Sequence, residues 1–247
     1  MTLDGKRIVV LGGSSGIGLA TAQAAAREGA SVVIASSRQE RIDQALTTLP
    51  AGTEGHVLDL ADEAAAQTLF GRLGGFDHLV FTAGETLQLG SLASVDLATA
   101  RRFFGLRYWG ALLAAKCGSG SIRTGGSIVF TSGIAAGRPR AGWALGASIC
   151  AAMEGLTRAL AVELAPIRVN IVSPGMVKTP LWADMKEADR DALYPANGGE
   201  AAGRPCRRGR GNCRGLSLPN APKLLHRTSG GRGWWRHANL SEASCVL

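Results

Sequence analysis

The stretch KRIVVLGGSSGIGLATAQAAAREGA, residues 6–30, decides the fold. Its first eight residues are a β-branched run ending in glycines, the pattern of a strand buried on both faces of a parallel sheet. The chain then turns to alanine, leucine and glutamine, which favour helix, and Gly29 stops the run. Between strand and helix lies GGSSGIG, residues 12–18. Glycines at such a junction let the backbone approach a pyrophosphate, and the helix N-terminus that follows favours its charge. Gly12, Ser14, Ser15, Gly16, Ile17 and Gly18 are therefore candidate phosphate-binding residues.

The alternation continues outward from this unit. SVVIAS (31–36), EGHVLDL (54–60), FDHLVFTAG (76–84), GGSIVFTS (125–132) and IRVNIV (167–172) read as strands. Helical segments at 39–49, 61–73, 96–116 and 142–165 separate them. Strands alternating with helices predict an α/β protein with a doubly wound parallel sheet, a Rossmann fold, in a single domain over residues 1–196. Ligands of such sheets sit at the carboxyl ends of the strands. At the end of the second strand an acid would bind the ribose hydroxyls of NAD, whereas an arginine accommodates the 2′-phosphate of NADP. The chain has ASSRQE at 35–40, so the hydroxyls of Ser36 and Ser37 and the fork of Arg38 point to NADP(H) rather than NAD(H).

Charge divides the chain in two. Of 247 residues with a formal net charge of +8, residues 1–196 hold 18 Lys+Arg against 17 Asp+Glu, and residues 197–247 hold 9 against 2. The basicity thus belongs to the Arg/Gly-rich last fifth. That segment shows no sustained helical or strand period, which leaves a disordered tail or a nucleic-acid-binding tail with Trp234 and Trp235 as stacking platforms. Its Cys206, Cys213, His226 and His237 fit no common zinc spacing, so no metal is expected. No signal peptide or membrane span is read, and five irregularly spaced cysteines suggest a reducing, cytoplasmic setting.

These landmarks resemble the short-chain dehydrogenase/reductase family over about residues 4–182. GGSSGIG resembles its glycine turn. Asp59-Leu60 resembles its adenine-holding pair, and Thr82-Ala83-Gly84 the end of its Asn-Asn-Ala-Gly strand. RVNIVSPGMVKTPL resembles its Pro-Gly loop. The resemblance implies that Ala83, Gly84, Pro174, Gly175, Val177 and Thr179 contact the cofactor, the last two on the nicotinamide and phosphate side. It also implies hydride transfer on a small alcohol or carbonyl substrate, and a homodimer or homotetramer through helices 96–116 and 142–165.

The family's usual acid–base set is a tyrosine, a lysine four residues later, a serine and an asparagine. Here the tyrosine position falls on Gly146, the lysine position on Cys150, the serine position on Gly133 and the asparagine position on Arg107. Ser132 stands one residue before the serine position. Substitutes in reach are Ser132 as a hydrogen-bond donor, Arg107 as a permanent cation and Cys150 as a thiol, although a buried thiol is usually inert packing. A non-catalytic NADP(H)-binding protein is the alternative expectation.

The family ends in a helix, a strand and Asp-Gly-Gly. The tryptophan codons of Gly233-Trp234-Trp235 read one base later force Gly-Gly, and allowed codons upstream permit the missing helix and strand. Residues from about 197 onward are therefore expected to be a frameshifted translation. The charge excess then says nothing about nucleic acid. Sequencing the coding region tests this, and bases encoding no family-like tail in the shifted frame refute it.

Overall fold

The computed structural model describes residues 3–177, 179–182 and 185–188. The tail from about 197, with its frameshift, nucleic-acid and zinc readings, lies outside the described residues, as does most of the expected lid helix at 181–193.

Six strands form one parallel sheet: β1 (Arg7–Leu11), β2 (Ser31–Ser36), β3 (Glu54–Val57), β4 (Phe76–Phe81), β5 (Ile122–Thr131) and β6 (Arg168–Val172). Their spatial order is β3-β2-β1-β4-β5-β6, the doubly wound order. The helices between them are α1 (Gly16–Arg27), α2 (Gln39–Leu46), α3 (Glu63–Leu73), α4 (Leu97–Phe104), α5 (Gly110–Gly118) and α6 (Ala144–Glu163).

Both faces of the sheet are covered because alternate side chains of each strand point to opposite sides. Ile8 and Val10 of β1 join Ile34 and Val80 beneath Ala22 and Ala25 of α1 and Ile42 of α2. Val9 and Leu11 point the other way and pack with Phe81, Ile128 and Phe130 under Phe70 of α3, Ala114 of α5 and Met153 of α6. Every one of these side chains is buried. That two-faced burial is why the strands read as continuous apolar runs.

Two sequence expectations need correction. The single helix expected over 96–116 is two helices joined by a π-helical turn, Gly105–Trp109, flanked by Gly105 and Gly110. Such a turn inserts one residue and re-aims the side chains it carries. Also, α6 has 20 residues and a mean hydropathy of 1.3, long and apolar enough by length and composition to cross a membrane. It lies instead against the sheet, with Ile149, Met153, Leu156 and Leu160 buried.

At the end of the sheet opposite the glycine turn, Asp77 is 5 % exposed and holds the β1–β4–β5 junction together. It accepts from Lys6 Nζ at 3.0 Å, from the Arg7 backbone N–H at 2.9 Å and from Arg123 Nη1 at 3.0 Å. Burial works to raise its pKa, but these hydrogen bonds outweigh it and the carboxyl ends below its ordinary value.

Candidate active site

The strand order reverses at β1, which has β2 on one side and β4 on the other. A cleft of about 820 Å³ opens there, at the carboxyl ends of the strands. The candidate cofactor and reacting residues singled out from the sequence all line it.

The glycine turn is the cleft's floor, and its glycines are required sterically. Gly12 has φ 83°, and a Cβ on it would stand 2.5 Å from the Ala83 backbone N. A Cβ on Gly18 would lie 2.2 Å from the Gly12 carbonyl oxygen and 2.4 Å from Thr82 Oγ1. These contacts bring α1, β1 and the end of β4 into close approach. The Thr82 hydroxyl donates to the Leu11 carbonyl at 3.0 Å, so it ties β4 to β1 rather than reaching the cleft with its proton. Ser15 is the N-cap of α1 but its side chain makes no capping hydrogen bond, and the first turn carries no acid. The N–H groups there are left for a ligand, and the helix dipole favours an anion. This cradle fits the pyrophosphate of a dinucleotide.

At the end of β2, Ser36, Ser37, Arg38 and Arg41 line the cleft, and no carboxylate from the β2–α2 junction does. Ser14 Oγ donates to Ser36 Oγ at 2.9 Å, linking the glycine turn to β2. Arg41 was not singled out from the sequence. Arg41 stands three residues after Arg38 on the helix that Arg38 caps, a spacing that puts both on one face. At the end of β3, Asp59 Oδ1 accepts from the Ala61 N–H at 2.9 Å, while Leu60 is buried and offers an apolar wall.

The loop after β6 roofs the cleft. The Ser132 N–H donates to the Val172 carbonyl at 2.8 Å, and the Ile134 N–H donates to the Pro174 carbonyl at 3.1 Å. These bonds fix Pro174 and Gly175 beside β5. Thr179 then passes over the glycine turn, its Cβ 3.4 Å from a Cβ built on Gly16. The buried Trp182 donates from Nε1 to the Val177 carbonyl at 3.0 Å and anchors the loop's far end.

The three candidate reacting residues lie together. Ser132 Oγ donates to the Cys150 carbonyl at 3.0 Å, so its proton is committed to α6. A Cβ on Gly133 would stand 3.2 Å from Cys150 Sγ. Burial pushes the Cys150 thiol up, opposed by Ser132 and the Arg107 charge and reinforced by Glu154. A thiol raised in this way stays protonated near neutral pH and is a poor nucleophile. Gly146 is buried and lines the cleft, yet a Cβ on it meets nothing within 4 Å. An open space therefore stands where the family places a tyrosine. Tyr108 does not fill it, since that ring packs against the core cluster under α5.

Arg107 projects from the π-helical turn. Its guanidinium lies over the Phe103 ring, 5.0 Å from the centroid, and its Nη2 donates to the Glu85 carbonyl. A Cβ on Gly84 would meet Nη1 at 2.7 Å, so the cation lies directly against the Gly84 backbone and a side chain there would push the guanidinium aside. Burial lowers its pKa, against the opposing pull of Cys150 and Glu85, but a guanidinium stays protonated in proteins. Its Nε is buried and has no acceptor among the described residues.

Fold and cleft together define a protein of the doubly wound Rossmann class with a cradle that fits a dinucleotide. Residues 2–194 match the family model described as an SDR-like rossmann domain. The chain belongs to the short-chain dehydrogenase/reductase family. It is 37% identical over 210 residues to the short-chain dehydrogenase/reductase ucsE of an Acremonium species, covering 77% of this chain and 80% of that protein. A solved small-chain dehydrogenase in complex with NADPH is 37% identical, with a TM-score of 0.64 over 79% of this chain and 82% of that one. The MalC reductase/Diels-Alderase of Malbranchea aurantiaca is 34% identical, with a TM-score of 0.70 over 78% of this chain and 82% of that one.

Proposed function

We propose that the chain is an NADP(H)-dependent oxidoreductase that catalyses hydride transfer on a small carbonyl or alcohol substrate at a divergent site. The observation that carries the cofactor choice is the β2 end, where Ser36, Ser37, Arg38 and Arg41 face the cleft without an acid. Two guanidinium forks with neighbouring hydroxyls suit a 2′-phosphate, and the carboxylate acceptor that holds the ribose hydroxyl pair of NAD is missing from this strand end. The NADPH bound to the related small-chain dehydrogenase supports the same choice.

In this reading the free N–H groups of α1 hold the pyrophosphate and Asp59 and Leu60 flank the adenine. Pro174, Gly175, Val177 and Thr179 close over the nicotinamide end. The cofactor supplies a hydride when bound. The chain's own contribution at the reacting atom is electrostatic, with Arg107 polarising the substrate oxygen. Neither Ser132 nor Cys150 takes the place of the family's tyrosine, since the Ser132 hydroxyl is hydrogen-bonded to the Cys150 carbonyl and the Cys150 thiol packs against Gly133. A homo-oligomer is also proposed, supported by exposed Leu97, Trp109 and Val162 on the segment running from α4 to α5 and on α6. Free Cys117 and Cys150 suit a cytoplasmic location.

The test is a fluorescence titration of the purified chain with NADPH and NADH side by side. Tighter NADPH binding is expected, with the preference lost in an Arg38→Ala/Arg41→Ala variant. Equal affinity for both cofactors, or binding of neither by monodisperse protein, refutes the assignment.

A further inference from the structure

Resting on that reading of the cleft, we propose that Arg107 makes an oxyanion pocket that selects conjugated carbonyl acceptors, enones in particular, over simple ketones. Three observations lead there. First, a cation stands beside Gly84 and Cys150 at the carboxyl end of β4, and among the described residues it makes no ion pair. The titratable groups acting on it are Cys150 and Glu85, both lining the same cleft. A desolvated cation with an unpaired buried N–H is costly to the fold, and a bound anion relieves that cost. Second, the family's tyrosine and lysine positions hold Gly146 and Cys150, and the Ser132 hydroxyl donates to the Cys150 carbonyl, so no described side chain stands where the family's proton donor would. Third, the open space at Gly146 leaves room beside the reacting atoms for a substrate larger than a compact ketone.

The chemistry of the product decides what such a site can reduce. Hydride addition to a simple ketone makes an alkoxide, about as basic as hydroxide, whereas a delocalised oxyanion such as a phenolate belongs to a much stronger acid, of pKa about 10. The first needs a general acid at the oxygen during transfer. The second needs only a fixed positive charge. With an enone, the hydride of a reduced nicotinamide dinucleotide forms the new C–H bond at the β-carbon. The alkene pair moves into the bond between the α-carbon and the carbonyl carbon, and the carbonyl π pair moves onto oxygen. The enolate so formed rests on Arg107. Solvent water protonates the α-carbon afterwards, giving the saturated ketone, and the dinucleotide is left oxidised.

Two measurements test this. Full-length protein saturated with NADP⁺ is mixed with 4-nitrophenol, and the phenolate absorbance is followed across pH. The bound phenol is expected to ionise at least one pH unit below the free phenol (about a tenfold shift), retained in part by Arg107→Lys and abolished by Arg107→Gln. No shift, or a shift that survives Arg107→Gln in protein that still binds NADPH, overturns the proposal. Separately, size-matched enones and saturated ketones are compared with NADPH. Native protein is expected to favour enones by at least about 10²-fold in kcat/KM, the low end of what a missing general acid costs. Equal rates overturn the proposal while leaving the cofactor assignment intact. Failure to bind NADPH instead refutes the cofactor assignment by itself.

Discussion

Replacing Gly146 with tyrosine and Cys150 with lysine restores the pair that the family uses, and the structure says what else must change. The two positions are four residues apart on α6 and so share a face. Room exists, because a Cβ on Gly146 meets no atom within 4 Å and the cleft holds about 820 Å³. A positioned general acid is worth about 10²–10⁴-fold, or roughly 3–5 kcal/mol of barrier. Arg107 works against this gain, because its charge already acts on Cys150. Two unit positive charges separated by about 6 Å repel by roughly 3 kcal/mol at an effective dielectric constant of about 20. That repulsion is comparable to the whole benefit. Gly146→Tyr/Cys150→Lys alone is therefore expected to raise simple-ketone reduction less than tenfold. The same pair with Arg107→Asn is expected to raise it by about 10²-fold or more. The assay is NADPH oxidation with small saturated ketones, alongside cofactor titration of each variant. A triple variant that binds NADPH like the native chain yet reduces ketones no faster refutes the reasoning. So does a double variant that already equals the triple.

Two further outcomes concern the scaffold. Gly18→Ala drives a Cβ to 2.2 Å from the Gly12 carbonyl oxygen, which is backbone and cannot swing away. A loss of about 1–3 kcal/mol in urea unfolding and a marked loss of NADPH affinity are expected, while Gly146→Ala, in open space, is expected to gain about 0.5–1 kcal/mol; equal effects of the two contradict the steric account. For pH, burial holds His78 below its ordinary pKa and Asp77 is also lowered, so both make stability fall as pH falls. The unfolded imidazole takes up a proton below about 6.5 that the folded one resists, and the Asp77 contribution is lost below about 4 as its carboxylate is titrated. Asp77→Asn is expected to diminish the lower step in the urea midpoint and leave the upper one, and an unchanged lower step refutes the role of Asp77.

Local pattern carried a large share of this protein's description. β-branched runs ending in glycine, spaced by helix-forming segments, specify parallel strands whose two faces are both buried, and the strand order follows from how such units wind. The glycines at 12 and 18 were legible because backbone approach of strand and helix excludes a Cβ, a demand that leaves a mark on sequence. Arg38 was legible for a similar reason, being a local feature of one strand end. The absence of a tyrosine and a lysine could likewise be read by counting along one helix.

What the tertiary structure decided lies between elements distant in the chain. The sequence shows no reason for α4 and α5 to part, yet the π-helical turn between them re-aims Arg107 over Phe103 and against Gly84. Ser132 looked free to bind a substrate until the fold set it against the Cys150 carbonyl. Arg41 joined Arg38 only because the start of α2 faces the same cleft. Whether a side chain is buried, already hydrogen-bonded or left with an unpaired donor depends on neighbours brought in by packing, and local periodicity holds no record of them. The sequence alone therefore determined the class of protein and the strand ends and loops that line its cleft. Folding decided that the cleft places a cation, Arg107, beside Gly84 and Cys150, because α6, the end of β4 and the turn that carries Arg107 meet there.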